Sequence, residues 1–213
     1  MPLNPFLYPQ TQHRRKLQPP SYSVYSRYKP FLKQEFTSQC VYCRLPDGLK
    51  GEDSFGVDHY RPQSKFPELA ASYTNLFYAC NCCNRRKRDF WPTEAQWRAR
   101  QFIPNPCDHV MFAHLRYRST RVETRSPAGE LAERVLMLND EYSVQYREDV
   151  LSVIATLEEK TRRVQDTIRS ISQRLVSHPE QAEQLTEARV SAEDDLAKLK
   201  QLLSRVAGAA FTG

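Results

Sequence analysis

The feature that most constrains this chain is a pair of cysteine pairs, Cys40-x2-Cys43 and Cys80-x2-Cys83. A two-residue gap lets one turn present two sulfurs to the same point, and tetrahedral zinc needs four such ligands. Two pairs therefore predict one structural Zn2+ site, held by Cys40, Cys43, Cys80 and Cys83, that closes a small module on itself. Cys82 either replaces Cys83 or packs beside the site; Cys83 is preferred because its gap matches the first pair. Cys107 reads as a free thiol. The bland alternative is four ordinary buried thiols, which paired spacing argues against. Structural zinc contributes on the order of 10–16 kcal/mol to folding in isolated fingers, so the metal replaces missing core.

The chain has 213 residues, a formal net charge of +6 and a mean hydropathy of −0.67. No apolar run approaches the ~20 residues that span a bilayer, and the N-terminus lacks a signal-peptide core. The expectation is a soluble, cytoplasmic protein with no membrane partner, whose cysteines stay reduced. The charge is uneven: residues 1–140 hold 21 Lys/Arg against 13 Asp/Glu, whereas 141–213 hold 10 against 12. The basic part, which also carries the cysteines, suits a polyanion.

Residues 1–24 are rich in Pro, Tyr and basic residues without a period, which predicts an extended arm. "SRYKPFLKQEF" predicts a short helix, "SFGVDHY" a strand, and "YTNLFYAC" an apolar lead into a helix near Cys83. Partial alternation over 102–128 suggests a hairpin, and "GELAERVLMLND" a helix. Val150, Ile154, Leu157, Val164, Ile168, Ile171 and Leu175 form a heptad-like seam, and Leu185, Ala188, Ala192, Leu196, Leu199, Leu203 and Val206 form another. "SHPE" breaks them, since Pro179 fits only a helix's first turn. An antiparallel helical hairpin whose seams satisfy each other is the simplest solution. The predicted fold class is thus α+β, divided into a basic arm and short helix (1–36), a zinc-stabilised module (37–100), a connecting segment (101–140) and a helical hairpin (141–213).

The residues between the cysteine pairs suit phosphodiester hydrolysis, which needs a base for water and a cation for developing charge. An imidazole is the side chain suited to proton transfer near neutral pH, so His59 can serve as the base. Asp58 and Asn84 are hard oxygen donors of the kind Mg2+ or Mn2+ takes. Lys87, with Arg85, Arg86 and Arg88, can hold phosphate oxygens, and Arg61 and Lys65 can add contacts. Each has an ordinary alternative: His59 as packing, Asn84 as a helix cap, the basic run as a solvated helix face. Trp91 and Trp97 read as packing residues, and His109 and His114 as structural.

The ordered run of Asp58-His59, Asn75-Leu76 and Cys80-x2-Cys83-Asn84-x2-Lys87 resembles the HNH endonuclease family, in the variant that ends in Asn. The resemblance implies a ββα-metal fold in which His59 is the general base and Asp58 and Asn84 hold a catalytic divalent ion. It also implies that Asn75 braces the loop orienting His59, that Lys87 contacts DNA phosphate, and that cleavage leaves 5′-phosphate and 3′-hydroxyl ends. A looser resemblance, through "FIPNPCD" and "LMLNDEY", is to stand-alone bacterial HNH nucleases of Septu-like and retron anti-phage systems. It implies an effector nuclease with an ATPase or other defence protein as partner. The hairpin serves as a cap on its own chain or as a contact for a partner or homo-oligomer. Two further readings share the residues: a zinc-knuckle nucleic-acid-binding module without catalysis, and a restriction or homing nuclease acting alone.

Overall fold

The computed structural model describes residues 3–208, so the outer limits of the first and last expected segments lie outside the described residues. Strands β1 (Phe55–His59) and β2 (Leu76–Cys80) pair antiparallel, with Phe55 opposite Cys80 and His59 opposite Leu76. All five residues of β2 are buried, as its unbroken apolar sequence requires. Helix α2 (Asn81–Lys87) starts directly at the strand end, where the Cys80 sulfur accepts from the Cys83 N–H at 3.4 Å. It stops at Arg88, whose φ of +47° leaves the helical region. This ββα unit is framed by α1 (Lys29–Glu35), from which Phe36 stacks on Phe77 with centroids 5.4 Å apart. Helix α3 (Glu94–Arg98) follows, closed by a Thr93–Gln96 capping box.

The expected extended arm has no helix or strand before Tyr25, yet it is folded onto the module. Phe6 and Tyr8 are buried, the Tyr8 hydroxyl donates to the Tyr42 carbonyl at 2.7 Å, and Tyr8 stacks on Tyr117. Further along, Glu35 accepts from the backbone N–H groups of Lys16 and Leu17, both at 2.9 Å, and from His13 at 2.7 Å.

The suggested hairpin is β3 (Leu115–Arg118) with β4 (Arg121–Thr124), a second two-stranded sheet. Helix α4 (Pro127–Leu136) packs on it so closely that a Cβ at Gly129 would lie 2.0 Å from the His114 carbonyl oxygen. Only glycine fits there. "LMLNDEY" then acts as a junction. Asn139 exchanges two 2.8 Å hydrogen bonds with Val122 of β4, and Asp140 caps the next helix by accepting from Ser143.

The last two helices are α5 (Glu141–Ser177) and α6 (Ala182–Ala207), joined by a 3-10 turn at Pro179–Gln181 where the sequence predicts the break. At 37 residues, α5 runs about 55 Å. The hairpin is fixed at its base: Val150 and Ile154 on α5 and Leu203, Val206 and Ala207 on α6 join the core. Further out, Val164, Ile168, Ile171, Leu175, Leu196 and Leu199 reach only half-burial, and Ala188 is exposed. The seams face each other but do not satisfy each other completely, because two cylinders touch along one line and leave the flanks of each seam in water. Among the described residues no helix is long and apolar enough to cross a membrane.

One buried cation fixes α5 to the rest and has no signature in the apolar seam. Arg147 is 4% exposed, donates to the Thr120 and Leu138 carbonyls at 2.6 and 2.7 Å, and lies over the Tyr117 ring. Removing it strands two buried acceptors. Arg147→Ala should lower stability by about 2–4 kcal/mol, measured as a shift in the urea unfolding midpoint.

Candidate active site and metal centre

Strand alternation separates Asp58 from His59. Asp58 faces α2 and is 2% exposed, whereas His59 faces outward and is half-buried. The His59 Nε2 lies 2.9 Å from the Ala70 carbonyl oxygen. A carbonyl only accepts, so Nε2 carries the proton and Nδ1 is left as the basic nitrogen. The carbonyl belongs to the loop of residues 60–75, and Asn75 ties both legs of that loop. Its Oδ1 accepts from Arg61 N–H at 2.9 Å, and its Nδ2 donates to the carbonyls of Arg61 at 3.0 Å and Leu69 at 3.4 Å. Asn75 is buried, so its amide has no water to exchange these bonds with.

Asp58 and Lys87 do not sit where the sequence expectation puts them. The Lys87 ammonium donates to Asp58 Oδ1 at 3.1 Å and to the His59 carbonyl at 2.6 Å, with side-chain exposures of 1% for Lys87 and 2% for Asp58. The Tyr42 hydroxyl donates to Asp58 Oδ2 at 2.6 Å. Burial, and after it the charge of Asp58, holds the Tyr42 phenol well above its usual range, so it remains a donor. Lys87 is thus a partner of the strand and not a surface contact for phosphate. The reason is desolvation: a carboxylate pointed into the interior must be neutralised there, and Lys87 lies on the buried face of α2.

The expected ion seat between Asp58 and Asn84 is accordingly not ready-made. Both Asp58 oxygens are engaged, by Lys87 and by Tyr42, so a divalent ion at this seat would have to displace Lys87. Asn84 is half-buried on α2; its Nδ2 donates to the Val57 carbonyl at 3.3 Å, and Oδ1 makes no hydrogen bond among the described residues.

The remaining basic residues divide. Arg86 is consumed by structure, donating from Nη1 to the carbonyls of Leu136 and Met137 and to Asp140 Oδ2, all at 2.9 to 3.0 Å. It ties α2 to the α4–α5 junction. Arg85, Arg88, Arg61 and Lys65 are exposed. Arg61 lies over the rings of Phe66 and Trp91, 5.8 and 5.6 Å from their centroids. Trp91 and Trp97 meet edge-on in an aromatic run that continues through Phe102 to His109 and His114. Burial lowers the pKa of both histidines, in keeping with structural roles. Sequence reasoning missed Tyr42, although it lies between Cys40 and Cys43, and Tyr25, whose only signal was the tyrosine-rich lead.

The sulfurs of Cys40, Cys43, Cys80 and Cys83 all lie within 4.8 Å of one another, and those of Cys43 and Cys80 are 3.7 Å apart. A tetrahedron with Zn–S bonds of ~2.3 Å has edges of about 3.8 Å, so the four fit a zinc ion. The turn at 40–43 supplies two, the end of β2 one and the first turn of α2 one. Burial opposes ionisation of Cys40, but hydrogen bonds from Cys43, Cys80 and Cys83 outweigh it and hold the thiol well below the ordinary range. Cys80 and Cys83, hydrogen-bonded to Cys40, are held well above it. A dication would take all four as thiolates. Cys82 is half-buried and outside the cluster. Elemental analysis should find one zinc per chain, retained in Cys82→Ser and lost in Cys83→Ser.

Compared with known proteins, residues 40–90 match the HNH endonuclease family. No curated protein and no solved structure matches the chain. The matched residues span the four cysteines, β1, β2 and α2, and they support a nuclease-type function for that part of the chain.

Proposed function

We propose that this protein is an HNH-type endonuclease that hydrolyses DNA phosphodiester bonds, with residues 37–100 carrying the chemistry. The observation that carries this reading is the orientation of His59. Its Nε2–H is spent on the Ala70 carbonyl, within a loop braced by Asn75, and Nδ1 is left as a base on the outward face of β1. In this reading Nδ1 takes a proton from water as the water oxygen bonds to phosphorus. The P–O3′ bond breaks, and the 3′ oxygen takes up a proton from a second, solvent water. The products are a 5′-phosphate and a 3′-hydroxyl end. Exposed Arg61, Lys65, Arg85 and Arg88 hold flanking phosphates. Lys87, paired with Asp58, acts from beneath, gripping the His59 carbonyl and so fixing the end of β1.

The four thiolates would hold a structural zinc that joins the turn at 40–43 to the β2–α2 corner. A catalytic Mg2+ or Mn2+ is the family's usual source of charge neutralisation; Asp58 could reach one only by releasing Lys87. A role as an effector in anti-phage defence, with an ATPase as controlling partner, rests on the looser likeness of "FIPNPCD" and "LMLNDEY". In the structure these stretches are an Asn105 turn, closed by bonds from Cys107 and Asp108 N–H, and the α4–α5 junction.

The test is plasmid cleavage by zinc-loaded protein. Wild type should nick or linearise DNA when Mg2+ or Mn2+ is added and not when both are omitted. His59→Ala should lose at least about 10²–10⁴-fold in rate while still binding DNA. Asn75→Ala should lose about 10–100-fold, because its effect passes through the Ala70 carbonyl. Cleavage by His59→Ala at the wild-type rate overturns the assignment of the base. Binding by wild type without cleavage in either metal favours a binding module.

A further inference from the structure

The matched family segment begins at residue 40, yet a residue well before it touches the candidate base. Tyr25 opens a 3-10 turn, Tyr25–Tyr28, that leads into α1. Its ring centroid lies 4.6 Å from that of His59, with the planes at 68°. Tyr25 is 40% exposed, and its hydroxyl makes no hydrogen bond among the described residues. It is therefore neither a core residue nor a hydrogen-bonding strut. Among the described residues its one ring contact is with the imidazole.

The turn that carries Tyr25 is itself fixed. Tyr28 is buried, its hydroxyl accepts from the Tyr22 N–H at 2.9 Å, and its ring packs on Tyr73 at 5.4 Å. Tyr73 belongs to the same 60–75 loop that carries Ala70 and Asn75, and its hydroxyl reaches Glu35 at 3.3 Å. Glu35 in turn holds the arm through Lys16 and Leu17. The arm, α1 and the histidine-orienting loop are thus one connected assembly. Among the described residues His59 has a hydrogen bond at only one ring nitrogen, and an imidazole held at one point can still swing about its side-chain torsions. An aromatic ring set edge-on against it removes part of that freedom.

We propose that Tyr25 is a positioning residue for His59, supplied by the N-terminal segment, so that residues preceding the HNH-matched segment complete the catalytic centre. This rests on His59 being the base. Tyr25 acts through its ring, holding Nδ1 toward the scissile phosphate; the phenol oxygen is not needed.

The experiment compares wild type, Tyr25→Ala, Tyr25→Phe and His59→Ala as full-length, zinc-loaded proteins matched for melting temperature, in steady-state cleavage of one DNA substrate. Tyr25→Ala should lower kcat about 10–100-fold with KM within about threefold of wild type, and Tyr25→Phe should restore kcat to within about threefold. An active Tyr25→Ala beside an inactive His59→Ala overturns the proposal and leaves the nuclease reading intact. A loss shared by Tyr25→Ala and Tyr25→Phe also overturns it, since the hydroxyl would then be the working group. Equal activity in wild type and His59→Ala overturns the nuclease reading itself, and the proposal with it.

Discussion

The ββα module is organised around one desolvated carboxylate. Asp58 has almost no contact with water and is satisfied on one oxygen by Lys87 and on the other by Tyr42. Those partners come from α2 and from the turn at 40–43, so one side chain joins three elements far apart in sequence. A buried pair is weak as a source of net stability, but breaking it leaves an uncompensated charge that costs about 3–5 kcal/mol. Its geometric consequence is that α2 is tied to β1 at Asp58. The same ammonium grips the His59 carbonyl, so the arrangement extends to the residue beside Asp58.

The cysteine cluster repeats this logic a few residues away. It draws again on the turn at 40–43 and on α2, with the end of β2 in place of β1, and lies beside Tyr42 in the chain. Two small sheets of two strands each cannot bury much by themselves, since an isolated two-stranded hairpin is marginal in water. The module therefore depends on its crosslinks and on what is laid over it. The N-terminal arm contributes Phe6 and Tyr8 to the core, α1 contributes Leu32, and the base of the helical hairpin contributes Val150, Ile154 and Leu203. Glu35 does for the arm what Asp58 does for α2, although its bonds to Lys16 and Leu17 are with backbone N–H groups.

Much of this was legible. The paired spacing of Cys40, Cys43, Cys80 and Cys83 pointed to one cluster, and the apolar run before Cys80 to a buried strand entering a helix. Pro179 marked the only break between the two long helices. These features are local: spacing, period and backbone restriction act over a few residues and survive in any environment. The sites of Lys87 and Arg86 were not legible, because a basic residue on a short helix looks the same whether it meets solvent, a carboxylate or backbone carbonyls. Arg147 was hidden for the same reason, one turn ahead of the apolar seam that begins at Val150. The arm read only as extended, because aperiodic chain carries no sign of the surface it will cover.

The sequence by itself determined the chemistry available to this protein: four thiols spaced for one ion, a histidine and asparagines between them, and two helices that must fold back on each other. Only the tertiary structure decided which groups remain free to use it. It spends Lys87 and Asp58 on each other, commits Arg86 to the α4–α5 junction, leaves His59 with one basic nitrogen, and brings Tyr25 against that ring. The physical reason is that burial is a property of the assembled surfaces. A polar side chain that loses water must take the nearest partner, and which partner is nearest is set by packing between segments distant in the chain.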